Sequence, residues 1–224
     1  MINYIEKDSR KLPFVIKEKK IKNIYFKFNK EFVEVSASKY VSKKQIVELI
    51  ETNFDKYYQK FIAFQSNTPD ENEAILEGNK YQIIIIPERK FIYLIDGEKV
   101  YLFTATKKLE DNKRRLYEKH LGKMLQRIDN DLKNVLSENG IKERKIILGH
   151  YKTKFGSYHR NTDVIKINIA LAKYDKNYLY YVLIHEYAHT KVFNHSKDFY
   201  NLVEKLMPNY KEYDKNLKKM SIWI

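Results

Sequence analysis

Hydrophobic and polar residues alternate at several places in the first half of the chain, which is typical of β-strands. Two such runs, 21–28 and 32–37, flank a short polar segment and predict a β-hairpin. Three further runs follow at 81–86, 91–95 and 100–104. Turn residues separate them, so they predict a small antiparallel meander. Residues 1–20 are polar and are predicted to form a loosely attached lead-in.

Elsewhere the apolar residues recur at every third or fourth position, which predicts helices. Ser42 is placed to cap a helix from Lys43 to about Gln65, and a loop is predicted at 66–72. A long, highly charged stretch, 109–136, has its apolar residues on one face and is predicted to be a helix that ends at Asn139-Gly140.

The elements predicted after this helix are short. They are strand 145–151, a turn at 154–157, strand 163–171, a helix from Tyr178 to about Val192 capped by Asp175 or Asn177, helix 197–207 after Ser196, and a basic tail from Lys211 that docks on the body. The composition changes near Lys107. The pattern therefore predicts an α+β chain with an N-terminal β-rich module containing one long helix (1–106) and a second domain (107–224).

Composition narrows the chemistry. The 224 residues include no cysteine, which excludes disulfides and thiolate metal sites. The net charge of +14 favours contact with polyanions, but only seven of the 43 basic residues are Arg, so we expect no more than weak nucleic-acid association. There is no apolar signal-peptide core and no run of about 18 apolar residues, so a soluble cytoplasmic protein is expected.

The predicted helix 178–192 contains the sequence His185-Glu186-Tyr187-Ala188-His189, and His195 follows shortly after. On a helix, positions i and i+4 share one face, so His185 and His189 point the same way. His195 is placed to supply a third ligand after the chain turns back. Three protein ligands leave one position open, as in catalytic zinc sites. The alternative is a surface helix with coincidental histidines, and the motif alone arises by chance in about one such chain in a hundred.

Neutral imidazoles suit Zn²⁺, which lowers the pKa of its bound water to about 7. Glu186 is offset from His185 by about 100° around the helix, so its carboxylate can lie beside the metal. We predict that Glu186 is the general base, which takes the proton from the zinc-activated water and passes it to the leaving amine.

Weaker candidates surround this motif. The strand at 164–171 either binds an extended substrate by main-chain pairing or is an ordinary core strand. His150, Tyr151, Tyr158 and His159 flank the 154–157 turn and are candidate hydrogen-bond donors, although a structural role is more common for such residues. His120 is expected on the surface of its charged helix. The chain has no Gly-rich phosphate loop and no Gly-x-Ser-x-Gly sequence.

From His185 to Phe199 the sequence resembles the YgjP-like metallopeptidase family, a zincin group related to SprT-like proteins. The family pattern is His-Glu-Leu-x-His, five residues, His-Ser, then an aromatic residue, which matches His185–His189, His195-Ser196 and Phe199. Upstream, 152–157 resembles the family's Lys-Ser/Thr-Lys/Arg-Trp-Gly-Ser turn. Ile165–Asn168 resembles its Ile-x-Leu-Asn strand. Phe155 stands where the family has Trp, and Tyr158 where it has Cys.

The resemblance implies a minimal zincin core behind the N-terminal module, with His185, His189 and His195 as ligands and Glu186 as the catalytic carboxylate. We also predict that Asn168 and Tyr158 contact the substrate. The predicted function is a zinc-dependent metallopeptidase that hydrolyses peptide bonds in proteins or peptides. The first alternative is a basic zincin-scaffold module that associates with nucleic acid or protein partners, its peptidase activity secondary or lost. The second is hydrolysis of a non-peptide amide. The intact Glu186 argues against loss of activity.

Overall fold

The computed structural model describes residues 2–67, 72–222 and 224. The chain is of the α+β class, as predicted, and it forms two compact units, Met1–Thr68 and Pro69–Ile224. No helix in the described part of the chain combines the length and the apolarity that crossing a membrane requires.

The first unit is a four-stranded sheet with two helices. Its elements are β1 (Asn3–Lys7), β2 (Arg10–Glu18), β3 (Tyr25–Phe28), β4 (Val33–Ala37), α1 (Lys43–Thr52) and α2 (Phe54–Asn67). The strand order is β1-β2-β4-β3, with β2 parallel to β4. The prediction of a loosely attached lead-in over residues 1–20 is wrong. Leu12 and Phe14 of β2 are buried in the core of this unit, so a largely polar segment is held by a few apolar anchors.

The hairpin predicted from the alternating pattern is confirmed, since β3 and β4 are antiparallel. The cap at Ser42 is also confirmed: its side chain accepts from the Gln45 amide, and the Gln45 side chain accepts from the Ser42 amide. The single helix predicted to follow is divided in two at Asn53, whose side-chain amide donates to the Leu49 carbonyl. Of the loop predicted at 66–72, residues 66 and 67 belong to α2, and 68–71 lie outside the described residues.

The second unit begins with another four-stranded sheet. Its strands are β5 (Glu73–Leu76), β6 (Asn79–Pro87), β7 (Ile92–Asp96) and β8 (Lys99–Thr104), in the order β5-β6-β8-β7. The predicted meander is wrong in its pairing, because β6 pairs with β8 in parallel and only β7–β8 is a hairpin. The isoleucine-rich β6 lies inside the sheet, whereas β7, with Ile92 and Leu94 exposed, lies at its edge.

The remaining elements build the layer that carries the histidines. They are α3 (Leu109–Glu138), β9 (Lys145–Gly149), β10 (Gly156–His159), β11 (Val164–Asn168), a 3-10 helix (Ile169–Lys173), α4 (Lys176–Ala188), α5 (Lys197–Leu206) and α6 (Tyr210–Leu217). The strand order is β10-β11-β9, with β10 antiparallel and β9 parallel to β11. Strand β10 starts at Gly156, inside the segment predicted to be a turn. The strand predicted at 163–171 extends only from Val164 to Asn168. The Asn168 side chain accepts from the Ala170 amide and caps the start of the 3-10 helix.

The sheet β5–β8 shares one hydrophobic core with α3, β11 and α4. The Glu77 and Gly78 amides also donate to the Ala172 and Lys173 carbonyls at 2.9 and 2.8 Å. Strands 73–104 therefore belong to the second unit, and the division found at 68/69 differs from the one predicted at 106/107. The change of composition near Lys107 marks the start of α3, whereas the shared core determines which strands belong together.

Two further predictions concern α3 and the C-terminus. His120 is not on the surface: it is only 8% exposed, because its ring lies against Tyr93 and Glu77. The C-terminal segment docks on the body as predicted, since the Tyr174 hydroxyl donates to the Ser221 carbonyl at 2.7 Å. Part of this segment is helical (α6), and Trp223 lies outside the described residues.

Candidate active site

Helix α4 positions the first part of the site. The Asp175 side chain accepts from the Asn177 amide and caps the helix, as one of the two predicted caps. The central turns of the helix are buried, which fixes the helix against the sheet and α3. His185 and Glu186 lie in its last turn, and His189 is its C-terminal cap residue. The Thr190 and Lys191 amides donate to the Tyr187 and Ala188 carbonyls and end the helix there.

The three histidines of the motif come together. The Nε2 atoms of His185 and His195 are 3.1 Å apart, and one potential ligand atom from each of His185, His189 and His195 lies within 4.8 Å of the others. The His189 Nδ1 donates to the Val192 carbonyl at 3.2 Å, which leaves its Nε2 lone pair free for a metal. The short segment after α4 thus brings His195 back to the helix.

Phe199 lies behind all three rings. Its ring centroid is 4.9 Å from that of His185, 4.5 Å from that of His189 and 4.8 Å from that of His195, and its side chain is fully buried. In the sequence, Phe199 could be recognised only as the aromatic residue of the family pattern. Its location on α5 shows that it packs the three imidazoles into one cluster.

The donor set fits a divalent zinc ion. Burial, and the neighbouring His189 and His195, lower the pKa of His185 to about 4, and burial also lowers the pKa of His189. Both rings are therefore neutral at pH 7 and keep a lone pair for coordination. Around tetrahedral zinc, imidazole nitrogens lie about 3.3 Å from one another, close to the separation of His185 and His195.

Glu186 is held next to β10. Its side chain is buried, and its Oε2 accepts a hydrogen bond of 2.7 Å from the Tyr158 backbone amide. Burial raises the pKa of the carboxyl to about 7, and the Tyr158 amide and Lys154 oppose the rise. The bond to β10 fixes the carboxylate and leaves Oε1 without a hydrogen bond from β10.

The close approach of β10 to α4 depends on Gly156. A Cβ atom at this position would lie 2.6 Å from Val182 Cγ1 and 2.8 Å from Glu186 Oε1. Any other residue would force Val182, Glu186 or the strand itself to shift. The glycine of the predicted turn is thus a packing requirement of the site, which the sequence pattern did not indicate.

The two predicted substrate-binding residues have structural contacts. The Asn168 side-chain amide donates to the Tyr151 and Lys154 carbonyls at 2.6 and 2.8 Å, which holds the segment before β10. The Tyr158 hydroxyl donates to Asp163 at 2.7 Å. Both residues thus shape the surroundings of Glu186, and their contact with substrate stays a prediction.

The two other candidate histidines, His159 and His150, have different surroundings. The His159 Nε2 is 3.2 Å from the Ser157 hydroxyl, and the His150 Nε2 is buried without a hydrogen-bond partner among the described residues. Strand β11 lies between β9 and β10 and is a core strand. The hypothesis that β11 pairs with substrate is therefore wrong, because β11 is already paired with a strand on each side.

Asp214 on α6 is a residue that sequence reasoning did not identify. It accepts from the Tyr181 hydroxyl at 3.0 Å and from Lys218 at 2.6 Å. The Tyr181 ring lies edge-on to His185, with centroids 6.0 Å apart. Tyr181 precedes His185 by one helical turn. The i, i+4 spacing of these two residues is therefore the sequence feature that could have indicated the contact between their rings.

Six chains of solved structures match this one, and they include two metallopeptidase zymogens. Abylysin of Pyrococcus abyssi is 25% identical with a TM-score of 0.37, and the match covers 42% of this chain and 94% of that one. Jannalysin of Methanocaldococcus jannaschii is 21% identical with a TM-score of 0.36, and covers 41% of this chain and 94% of that one. No curated protein sequence matched the chain.

The model of the YgjP-like metallopeptidase domain family matches residues 22–220. This match includes the histidine cluster, Glu186, Gly156 and Phe199. It confirms the resemblance seen in the sequence, and family membership implies a divalent metal and a protein or peptide substrate. The chain therefore belongs to the YgjP-like family of metallopeptidases.

Proposed function

We propose that this protein is a zinc-dependent peptidase in which His185, His189 and His195 hold the metal and Glu186 is the general base. The convergence of the imidazoles of His185, His189 and His195 beside the end of α4 carries this proposal. Zinc has the ligand preference that this donor set offers. When bound, it supplies an electrophile for the scissile carbonyl and lowers the pKa of a water molecule.

Glu186 moves the protons in the proposed reaction. Its Oε2 is engaged by the Tyr158 amide, so Oε1 is the atom that accepts a proton from the attacking water and returns it to the leaving amine. A fixed carboxylate avoids the cost of reorganising during the reaction. The buried surroundings keep the proton affinity of Glu186 high enough for it to act as a base near neutral pH.

The position of β10 favours a polypeptide substrate. It is an edge strand of its sheet, and its Tyr158 amide contacts Glu186 directly. An extended chain can pair with such an edge through its main chain, which places the scissile bond near the carboxylate. Because the Tyr158 amide already donates a hydrogen bond to Glu186, the substrate would pair with backbone groups of β10 on either side of Tyr158.

The experiment compares the wild-type protein with Glu186→Gln, using casein cleavage and zinc content. We expect about one zinc ion per chain in both proteins, and a loss of activity of roughly 10²–10⁴-fold in the variant. Glu204→Gln, on the exposed face of α5, is the matched control and should cleave casein normally. Equal activity of Glu186→Gln and wild type would reject Glu186 as the base. Zinc content unchanged in His185→Ala would reject the metal site.

The two alternatives stay predictions. Nucleic-acid association is tested by binding to duplex and single-stranded DNA over a range of salt concentrations, because phosphate contacts give a steep salt dependence. Hydrolysis of a non-peptide amide is tested by comparing acyl anilides with peptides of the same acyl group.

A further inference from the structure

Helix α3 has a row of basic side chains on its exposed surface. Arg115, Lys119, Lys123 and Arg127 follow one another at intervals of four residues, and all four are exposed. Residues four apart lie on one face of a helix and are separated by about 6 Å along its axis. The row therefore presents its charges in a line, and we call it the α3 ridge.

Three of these charges are not neutralised. Arg127 is paired with Glu77 at 2.7 Å. Among the described residues, no carboxylate lies within 4 Å of the charged groups of Arg115, Lys119 or Lys123. The ridge thus carries a net excess of positive charge.

The neighbouring strand β7 determines where the ridge points. The Arg115 guanidinium lies 4.7 Å from the Phe91 ring centroid, and Lys123 Nζ lies 4.1 Å from that of Tyr93. Lys119 donates to the Phe91 backbone carbonyl at 3.1 Å. The three cations therefore lie along β7 and the residue that precedes it.

Strand β7 is the edge of its sheet, and its outer side is open. The order β5-β6-β8-β7 gives it one neighbour, β8. The Phe91 carbonyl points outward, since it meets Lys119 and not β8. Backbone groups of an edge strand alternate in direction, so the amides and carbonyls of Tyr93 and Ile95 also point outward. These groups are available to a further strand.

A groove of about 510 Å³ lies between the open edge and the ridge. Within the described part of the chain, its lining consists of Tyr93, Leu94 and Ile95 from β7, of His120, Lys123, Gln126 and Arg127 from α3, and of Glu77, the one carboxylate, which is paired with Arg127. Ile92 and Leu94 are 55% and 57% exposed, so the edge also offers apolar surface. The groove combines main-chain donors and acceptors, apolar contacts and positive charge.

We propose that this groove binds an extended acidic segment of a partner protein, which adds to β7 as a fifth strand. Every second side chain of a strand points to the same face, and such side chains are about 6.6–6.8 Å apart. This spacing is close to the ridge's 6 Å step. Carboxylates at alternate positions would face Lys123, which lines the groove, and then Lys119 and Arg115, which continue the ridge beside Phe91, while the main chain pairs with Tyr93 and Ile95.

The observations favour a polypeptide over a polynucleotide. Single-stranded nucleic acids bind through exposed aromatic faces on which bases stack. Here Phe91 and Tyr93 are buried and their rings are covered by Arg115 and Lys123. An open strand edge can form paired main-chain hydrogen bonds with a peptide, whereas a phosphate backbone has no amide groups for such pairing. The groove contains no residue of the histidine cluster, so this proposal does not depend on the peptidase function.

The probe for the test is a fluorescein-labelled ten-residue peptide in which Glu alternates with Val. Binding is measured by fluorescence anisotropy to the full chain carrying Glu186→Gln, so that the probe is not cleaved. In this background, Lys123→Glu should weaken binding roughly tenfold, because it places like charges together. Arg114→Glu makes the same change of charge on the same helix but beside Glu110, and should change the affinity less than about twofold.

Main-chain pairing is tested on the probe itself, so that it does not depend on the folding of a variant. N-methylation of one alternate set of residues should abolish binding, and N-methylation of the other set should leave it. Any of four results would overturn the proposal: no binding of the peptide, an equal effect of Lys123→Glu and Arg114→Glu, indifference to both methylated sets, or tighter binding of a ten-nucleotide oligothymidylate than of the peptide.

Discussion

Lys173 is an ionisable side chain with an unusual location. It ends the 3-10 helix, is only 3% exposed, and its Nζ lies 5.3 Å from the centroid of the Tyr174 ring. Its backbone carbonyl accepts from the Gly78 amide, which fixes the residue where two elements meet. Burial lowers the pKa of Lys173 to about 8. The charged form is therefore less favourable in the folded protein than in the unfolded chain.

This lowered pKa predicts a dependence of stability on pH. Between about pH 8 and the ordinary lysine pKa of about 10.4, the unfolded chain binds more protons at this site, so stability rises with pH. Lys173→Met removes the cost of burying the charge. We expect the variant to be more stable than wild type by roughly 1–3 kcal/mol at pH 7, with the difference shrinking towards pH 9.5.

Urea unfolding at pH 7 and pH 9.5 measures this difference. The control is Lys176→Met, because Lys176 is exposed at the start of α4. A stability difference between Lys173→Met and wild type that is the same at both pH values would contradict the prediction.

At the scale of elements, the contact between β10 and α4 is tightly packed at Gly156. The missing Cβ of Gly156 lets the strand approach Val182 and Glu186. Gly156→Ala should lower the free energy of unfolding by about 1–3 kcal/mol, because the methyl group overpacks the contact. It should also lower peptidase activity, since the Tyr158 amide would no longer hold Glu186 at 2.7 Å.

Gly122 provides a control for glycine replacement. It lies within α3, and a Cβ there would meet nothing within 4 Å. Gly122→Ala should therefore stabilise the protein by about 0.5–1 kcal/mol, because alanine favours the helix. Denaturant unfolding of both variants tests the contrast. Similar stabilities of the two variants would show that Gly156 is not constrained by packing.

At the scale of the whole molecule, a metal held by the histidine cluster would couple its binding to folding. The cluster links the end of α4 to the loop before α5, and Phe199 of α5 supports it. A metal that binds only the folded protein adds stability through mass action, by roughly 4 kcal/mol when the free metal exceeds its Kd a thousandfold. Chelation should therefore lower the thermal unfolding midpoint of the wild-type protein.

Circular dichroism with and without a chelator measures this midpoint. His185→Ala should unfold at the same temperature in both conditions, because it lacks one of the proposed ligands. His159→Ala, a histidine outside the cluster, should respond to the chelator as the wild type does. A wild-type midpoint that the chelator does not change would argue against a bound metal that stabilises the fold.

The sequence predicted the features that depend on local spacing. The four-residue interval between His185 and His189, the caps at Ser42 and Asp175, and the turn between β3 and β4 all depend on residues close in the chain. Such features follow from helix and strand geometry alone. The family pattern could therefore be identified from 145–210 without knowledge of the fold.

Strand pairing was not predictable in this way. A period of two identifies a strand and its buried face, but it does not identify the neighbouring strand. For this reason the parallel pairing of β6 with β8 was missed, and so was the short β10, which contains a glycine and few apolar residues. The burial of His120 was missed for a similar reason. Its ring is buried by contacts with Tyr93 and Glu77, which are far away in the sequence.

The sequence by itself thus determined the chemistry of the histidine-glutamate stretch, because ligand type and helical spacing are local properties. Only the tertiary structure decided how that chemistry is supported. It placed β10 against Glu186, Phe199 behind three imidazoles and strands 73–104 in the same unit as the site. The physical reason is that burial depends on the whole packed core, whereas spacing depends only on the chain.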